Sequence, residues 1–528
     1  MTNTNWRTEG SLAALLGWRL GESPDHPFLY VEDDGPWSFA AIAAGAQRLR
    51  DRLVETGVVP GDLVVVRLGN DERFAAALMG VWLAGAGVVA MHPSAPAHDI
   101  EAVIASMRPA AVIAGPADVA AHAGLGVPVV DAEPFKPGIG PADPAVAAFH
   151  APTAVSGSDT ALVLLTSGST GKPKGVVLTH DNAWSNLRAT VSAFRSDSSP
   201  SPLPTNPKPP NLIANPLSHT AGVVRLLFAL YVGRTIVLLR KFDGAMAHRL
   251  IGRHGIDNLT INPAMLRMLI DQVTPPANLA PVRYASSGTA PLPAALREEF
   301  EHRFGIPVLQ AYGQTEAFGG IAIESVRDVL AGSRRPGSVG KPLPGVELRI
   351  VDDQGVDVAA GGIGEILVRS RSATTGYLGS DAAPPVDDDG WLRTGDRGRL
   401  DSDGYLYITG RSKNIIICGG FNIVPEELEA ALVQDESVRD AAVVGLADDR
   451  LGEIPIALVE SDDVSTAILD RVSTRLAPYK RPRGLFVVDR LPRVANGKVD
   501  RPATLELARG LAAAADVQVM QPSAESAR

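Results

Sequence analysis

Residues 161–178 read ALVLLTSGSTGKPKGVVL. The run Ala161–Leu165 is short and apolar, as in a buried strand, and Val176-Val177-Leu178 leaves as a second one. Between them Gly168, Gly171 and Gly175 permit tight or positive-φ backbone and let main-chain N–H groups approach an anion. Thr166, Ser167, Ser169 and Thr170 add hydroxyl groups, and Lys172 and Lys174 add positive charge. The stretch reads as strand, phosphate-gripping loop, strand. It is not a Walker A loop, because Pro173 follows Lys172 where that pattern needs Ser or Thr, and dinucleotide-fold spacing fails as well. A plain Gly/Ser-rich hairpin has the same composition, so the loop takes its meaning from the rest of the chain.

Upstream, strands and helices alternate. Leu63–Leu68 is a strand, Asn70 is placed to cap a helix over Glu72–Ala84, and Val88-Val89-Ala90 resumes a strand. A helix over Asp99–Ser106 and a strand over Ala110–Ala114 come next. The N-terminal stretch is helical around a short extended piece, Phe28–Val31, and residues 133–159 read as a connector. Downstream, Asp181–Phe194 is a helix and the proline-rich residues 195–210 a flexible surface loop. The rhythm returns with helices over Val223–Tyr231, Ala245–His254 and Pro263–Asp271, and strands over Thr235–Leu239, Asn258–Ile261 and Val282–Ser286. This alternation predicts an α/β fold with mostly parallel sheets.

From about Gly337 the texture changes. Glu347–Val351, Glu365–Arg369 and Tyr405–Ile408 alternate polar and apolar residues, with turns at Asp352–Gly355 and Asp401–Gly404. That predicts a small antiparallel β subdomain. Beyond Gly410 lie a helix, Pro425–Val433, strands Asp440–Val444 and Pro455–Glu460, and a helix Ser465–Leu476, a compact α+β unit. The domain expectation is residues 1–410, a hinge at 411–413, a lid at 414–510 and a frayed tail at 511–528.

The 528 residues carry a net charge of −10 and are 45% hydrophobic, which fits a globular chain with ample core and argues against non-specific nucleic-acid binding. Cys418 is the single cysteine, so an internal disulfide and a thiolate zinc cluster are excluded, and its neighbours Ile415-Ile416-Ile417 mark it as a buried structural thiol. No signal peptide and no membrane span are expected, and a cytoplasmic location is.

Further stretches need a common explanation. They are Asn215–Gly222 with His219, Ser287-Gly288-Thr289-Ala290, Gln310-Ala311-Tyr312-Gly313-Gln314-Thr315-Glu316 and Gly390–Asp396. Gly410-Arg411-Ser412-Lys413 runs on to Gly419-Gly420 and Pro425-Glu426-Glu427, and Leu491–Val499 holds Lys498. Tyr312 offers a flat face for a purine, Thr315 a hydroxyl for phosphate and Glu316 a carboxylate for Mg²⁺. Asp396 could accept from a ribose diol, Arg411 could donate to ribose or phosphate, and Lys498 is a point charge on a loop. Singly, each has a plain structural reading as a turn, a cap or a solvated hairpin residue. His219 has no evident carboxylate partner and is not read as a general base.

In this order, over about residues 10–505, the set closely resembles the adenylate-forming superfamily of acyl-CoA synthetases, firefly luciferase and peptide-synthetase adenylation domains. The resemblance implies two βα-layered sheets plus a β subdomain, and a mobile C-terminal lid that rotates between two half-reactions. It implies that Thr166, Ser167, Gly168, Ser169, Thr170, Gly171 and Lys174 hold the β- and γ-phosphates of ATP. Gly288, Thr289 and Ala290 would wall the adenine, Tyr312 and Gly313 lie beside it, Thr315 meets the α-phosphate and Glu316 the Mg²⁺. Asp396 and Arg411 match the ribose pair, and Lys498 the lysine bridging substrate carboxylate and α-phosphate. Lys413 falls at the hinge, and Gly419 and Gly420 match backbone lining a pantetheine tunnel. His219, Val223, Ser287, Gly313 and Phe318 are candidates for an acyl pocket suited to a fatty, aromatic or other hydrophobic acid.

The implied activity is ATP-dependent ligation of a carboxylic acid to coenzyme A through an acyl-adenylate. The Gly-Gly-Phe-Asn-Ile-Val-Pro-Glu-Glu run favours coenzyme A, with a carrier-protein thiol or a non-thiol acceptor as alternatives. Activation of a non-carboxylate anion and a catalytically silent binding protein are the rarer readings, and both a monomer and a homodimer fit.

Overall fold

The computed structural model describes residues 10–514 apart from 117, 120–123, 134, 136–142, 148, 150–154, 168–172, 195–208, 274–278, 380–382, 412–413, 419–420, 449–450, 463–466, 474–475, 477–479 and 495–496. The chain forms two compact units. The first takes Met1–Thr289, Phe300–Leu348 and Val368–Arg393, and the second takes Ala290–Glu299, Arg349–Leu367 and Thr394–Arg528. The C-terminal segment of the second unit thus begins at Thr394, ahead of the expected hinge, because most of strand Leu392–Leu400 and all of its partner Leu406–Arg411 cluster with the C-terminal residues.

Among the described residues the first unit holds three sheets. In the seven-stranded one the order is Gly376–Leu378, Pro173–Thr179, Thr160–Ser167, Gly87–Met91, Leu63–Arg67, Ala111–Ala114 and Val129–Asp131. Its last five strands run parallel, whereas the phosphate hairpin and Gly376–Leu378 pair antiparallel. The five-stranded sheet places Asn258–Ile261, Tyr284–Ser287 and Val308–Gln314 in parallel, with Gly319–Ile323 and Lys341–Pro342 added antiparallel. A third, four-stranded sheet joins Asp34–Ser38, Pro27–Val31, Ile236–Leu238 and Asn211–Ile213. The strand Asp34–Ser38 lies in the stretch read as helical, because Glu32 and Gly35 take positive φ and turn the chain into a hairpin.

Helices Phe39–Glu55 and Glu72–Leu83 approach closely. A Cβ on Gly80 would lie 2.7 Å from the Ala46 carbonyl oxygen, so only glycine fits there. The cap of the second helix is Asp71, whose carboxylate accepts from the Arg73 amide, and not Asn70. Asn70 is buried and ties two segments instead: its Nδ2 donates to the carbonyls of Asn215 and Leu239, and its Oδ1 accepts from the Leu217 amide. Competing long-range partners, invisible locally, took Asn70 from the cap.

His180 anchors the N-terminal segment, its Nδ1 accepting the Leu12 amide at 3.1 Å beside the edge of Trp82. Burial lowers its pKa to about 4, against a weaker opposing pull from Asp159. A depressed histidine contributes stability that is whole above about pH 6.5 and is lost as pH falls toward the folded pKa. Wild type is expected to lose on the order of 3 kcal/mol more than His180→Gln across that window. Chemical denaturation at pH 7 and pH 4 measures the difference, and equal losses would remove His180 as its source.

In the second unit a sheet of Phe421–Ile423, Ile416–Cys418, Gly452–Ser461 and Val438–Asp448, with Gly484–Val488 parallel to Gly452–Ser461, carries the helices Pro425–Val433 and Arg501–Ala514. The last helix continues through Ala514, beyond the point where fraying is expected, because Thr504 and Ala508 are fully buried and fix it to the core. Cys418 is buried in that core, as its apolar neighbours predict. The four-stranded sheet of Glu347–Val351, Gly364–Arg369, Leu392–Leu400 and Leu406–Arg411 is the small β element. Asp352 and Asp401 close its turns by accepting amides two and four residues on. Among the described residues no helix is long and apolar enough to cross a membrane.

Candidate active site

In the first unit the candidate site gathers where two sheets end. The phosphate hairpin pairs Thr166 with Lys174 and Ser167 with Pro173, so its strands run to the base of the loop. Gly168, Ser169, Thr170 and Gly171 lie outside the described residues. Thr166 Oγ1 donates to the Lys174 carbonyl at 3.3 Å, which closes the hairpin's mouth.

Lys174 and Glu316 meet on one residue that the sequence does not single out. The Lys174 ammonium stands 3.0 Å from the centre of the Tyr377 ring, and the Tyr377 hydroxyl donates to Glu316 Oε1 at 3.2 Å. Strand Gly376–Leu378 pairs with the hairpin, Tyr377 opposite Val176. Just before it, the Thr374 amide donates to the Glu316 carbonyl at 2.7 Å and its hydroxyl to the Val177 carbonyl. The segment Thr374–Leu378 therefore fixes both the phosphate strand and the turn carrying Glu316. Burial, then the Glu316 carboxylate, pushes the Tyr377 phenol up, so it stays a donor. Tyr377→Phe keeps the ring and removes the donor. It is expected to raise the Mg²⁺ concentration needed for half-maximal activity about tenfold, with metal-free ATP affinity and melting temperature unchanged in calorimetry. An unaltered Mg²⁺ requirement would show that the hydroxyl does not position Glu316.

Glu316 sits in a single 3-10 turn, Thr315–Ala317, closed by Phe318 at φ +53. The Thr315 hydroxyl is 2.8 Å from that of Thr220, at the start of helix Thr220–Val232. His219 is that helix's N-cap, its Nδ1 accepting the Ala221 amide at 3.2 Å. This structural duty places the ring at the site's edge and leaves Nε2 to carry the proton of a neutral imidazole. Tyr312 and Gly313 run on the strand Val308–Gln314 against Gly319–Ile323, with a bulge between them. A Cβ on Gly313 would lie 1.8 Å from the Gly319 carbonyl oxygen, so the crossing demands glycine.

Strand Tyr284–Ser287 ends beside them, Ser287 opposite Gln310. Ser287 Oγ, Thr289 Oγ1 and Gln314 Nε2 are buried with no hydrogen-bond partner, and Thr289 holds a φ of +70. Orphaned donors and non-glycine backbone strain at the ends of two neighbouring strands are features of a site that takes a polar ligand. Val223 and Phe318 are fully buried in the main core, and the helix's partly open positions are Ala221, Val224, Arg225 and Phe228, with Tyr231 and Val232 in its last turn.

Can this unit hold Mg²⁺? Among the described residues no group of three or more His, Cys, Asp or Glu could cage a metal. A lone Glu316 carboxylate suits an ion that takes one protein oxygen and fills its shell with phosphate oxygens and water, the habit of nucleotide-bound Mg²⁺. The residues fit that ion.

In the second unit Arg411 Nε donates to Asp396 Oδ1 at 2.6 Å across paired strands, with Asp396 buried and Arg411 exposed. The Thr394 hydroxyl accepts the Asp396 amide and orients that corner. Ala290 is half-buried. Ser412, Lys413, Gly419 and Gly420 lie outside the described residues. Lys498 is half-buried on a tight hairpin: Gly497 has φ +82, the Val494 amide donates to the Lys498 carbonyl, and Arg493 bridges to Val499.

Residues 16–378 match the family model described as AMP-binding enzyme, and residues 427–498 match the AMP-binding enzyme C-terminal domain. The chain is 33% identical over 521 residues to a sulfoacetate–CoA ligase of Cupriavidus necator, covering 94% of this chain and 98% of that one. It resembles the ATP-bound structure of MatB from Rhodopseudomonas palustris with a TM-score of 0.83 and 29% identity, over 96% of this chain and 100% of that one. It resembles O-succinylbenzoate coenzyme A synthetase from Bacillus subtilis, in complex with ATP and magnesium, with a TM-score of 0.79 and 28% identity, over 94% and 100%.

Proposed function

The chain belongs to the AMP-binding enzyme family, and from that premise we propose that Lys174, Thr315, Glu316 and Lys498 activate a small-molecule acid while Asp396 and Arg411 hold the ribose. The enzyme is an acid–CoA ligase that uses ATP and Mg²⁺, with coenzyme A as co-substrate. The observation that best supports the residue roles is the Thr220–Thr315 and Tyr377–Glu316 pairing, which fixes an acceptor-rich turn beside a lysine of the phosphate hairpin.

Two bonds change in each half-reaction. A carboxylate oxygen attacks the α-phosphorus and the bond to pyrophosphate breaks, giving acyl-AMP. A thiolate then attacks the acyl carbon and AMP leaves. In the first step two anions must meet. Lys498 supplies a mobile ammonium between them, and the Thr315 hydroxyl donates to the phosphate oxygen it faces. Glu316 would hold Mg²⁺, and the ion would supply charge neutralisation for the phosphate oxygens. Lys174 draws the leaving pyrophosphate. In the second step the C-terminal unit acts as a lid: it withdraws Lys498 and presents the backbone around Gly419 and Gly420 to the pantetheine.

Coenzyme A is the acceptor in this reading, a cytoplasmic place suits the supply of both co-substrates, and a carrier-protein thiol is the second acceptor. Incubation with ATP and an acid, then coenzyme A, a carrier protein or an amine, separates them by product mass. Acyl-CoA with AMP is the expected product. Acyl transfer to the carrier protein alone would replace coenzyme A as the acceptor.

A further inference from the structure

The helix that opens at His219 is covered on most sides, with Thr220, Gly222, Val223, Leu226, Leu227, Ala229 and Leu230 buried. Ala221, Val224, Arg225 and Phe228, at i, i+3, i+4 and i+7, form a stripe that is only partly covered. One end of this stripe adjoins the candidate site. It begins next to Thr220, whose hydroxyl meets Thr315, and a Cβ on Gly319 would lie 3.5 Å from the Val224 methyl.

Arg225 stands out on it. Its Nε is buried without a hydrogen-bond partner, and no carboxylate pairs with its guanidinium among the described residues. Burial lowers its pKa to about 10, and among the described residues the ionisable neighbour acting on it is the Tyr284 phenol, at the start of the strand that ends at Ser287. Other sequestered arginines have partners. Arg19 binds Glu22 and the Leu230 carbonyl, and Arg234 binds Asn211 and lies 3.6 Å from Asp257. Arg225 as a whole is half-buried, so its side chain is sequestered at Nε yet still reachable from outside. A half-sequestered guanidinium with no carboxylate partner suits an anion that comes and goes.

Resting on the proposed reading of the site, we infer that Arg225 anchors a second anionic group on the acid: the substrate is a short acid with a distal carboxylate or sulfonate. Arg225 lies five residues along the helix from Thr220, about 7–8 Å of rise, which suits a spacer of a few carbons between the two acidic ends. A guanidinium presents paired N–H donors to either oxyanion. This narrows the expectation of a hydrophobic acid, since a fatty chain laid along the stripe would bury the guanidinium without a partner.

The test is pyrophosphate release with matched acids: succinate against butyrate and against its half-amide, and sulfoacetate against propionate. Wild type is expected to favour one dianion over its monoanionic match by about 10²-fold in kcat/KM, and the two arms say whether the distal group is carboxylate or sulfonate. Arg225→Leu should abolish that preference with ATP affinity unchanged by calorimetry, and Arg225→Lys should restore part of it. Monoanions used as well as their dianionic matches by wild type would overturn the inference, as would a preference that survives in Arg225→Leu or Arg225→Gln. Pyrophosphate release from none of these acids, nor from longer fatty or aryl acids, would instead overturn the reading of the site on which it rests.

Discussion

Lys498→Ala is expected to lower acyl-adenylate formation by about 10²–10³-fold while leaving thioester formation from supplied acyl-adenylate within a few-fold of wild type. The attacking carboxylate and the α-phosphate are both anionic, and in the proposed reading one ammonium shares the charge that their approach builds. Lys498 sits on a tight turn between Gly497 and the bridge partner Val499. Truncating it removes that charge, and intact thioester formation from supplied acyl-adenylate shows that the loss reports on the first step. Separate assays of the half-reactions check this, and equal losses in both would remove Lys498 from its role at the bond being made.

Glu316→Gln should have an effect of similar size for a different reason. The amide can still accept the Tyr377 hydroxyl, so the Thr315–Ala317 turn keeps its anchor. The negative charge toward a divalent cation disappears. Pyrophosphate formation is expected to fall about 10²-fold, and calorimetry should show that Mg²⁺ no longer tightens ATP binding. Tight Mg²⁺-dependent ATP binding in this variant would assign the metal to other groups.

The parts legible in the sequence were those governed by short-range pattern. Strand Asn258–Ile261 and helix Pro425–Val433 stand within the bounds that periodicity and a leading proline predict. The hairpin Thr160–Thr179 is longer than its apolar core because antiparallel pairing carries the ladder on to Ser167 and Pro173. Asn70 reads as a cap from its neighbours alone because its partners, Asn215, Leu217 and Leu239, lie more than a hundred residues away.

The same limit held at the site. Thr315 and Glu316 stood out by residue type, but the groups that hold them did not. Thr220 follows a histidine in an apolar run, and Tyr377 lies in a short Gly-Tyr-Leu segment that no local pattern singles out. Only the pairing of Gly376–Leu378 with the phosphate hairpin gives Tyr377 both Lys174 and Glu316. Arg225 was hidden for a related reason. Helical spacing marks the apolar face of Thr220–Val232, but whether a charged residue on it has a counter-ion is set by side chains from other strands.

The most direct measurement of the central claim is exchange of labelled pyrophosphate into ATP, run with an acid present and coenzyme A absent. Reversible adenylation predicts exchange that requires the acid and Mg²⁺, proceeds without coenzyme A, and falls with Lys498→Ala. Thioester formation with no acid-dependent exchange, or with ADP and phosphate as products, would contradict it.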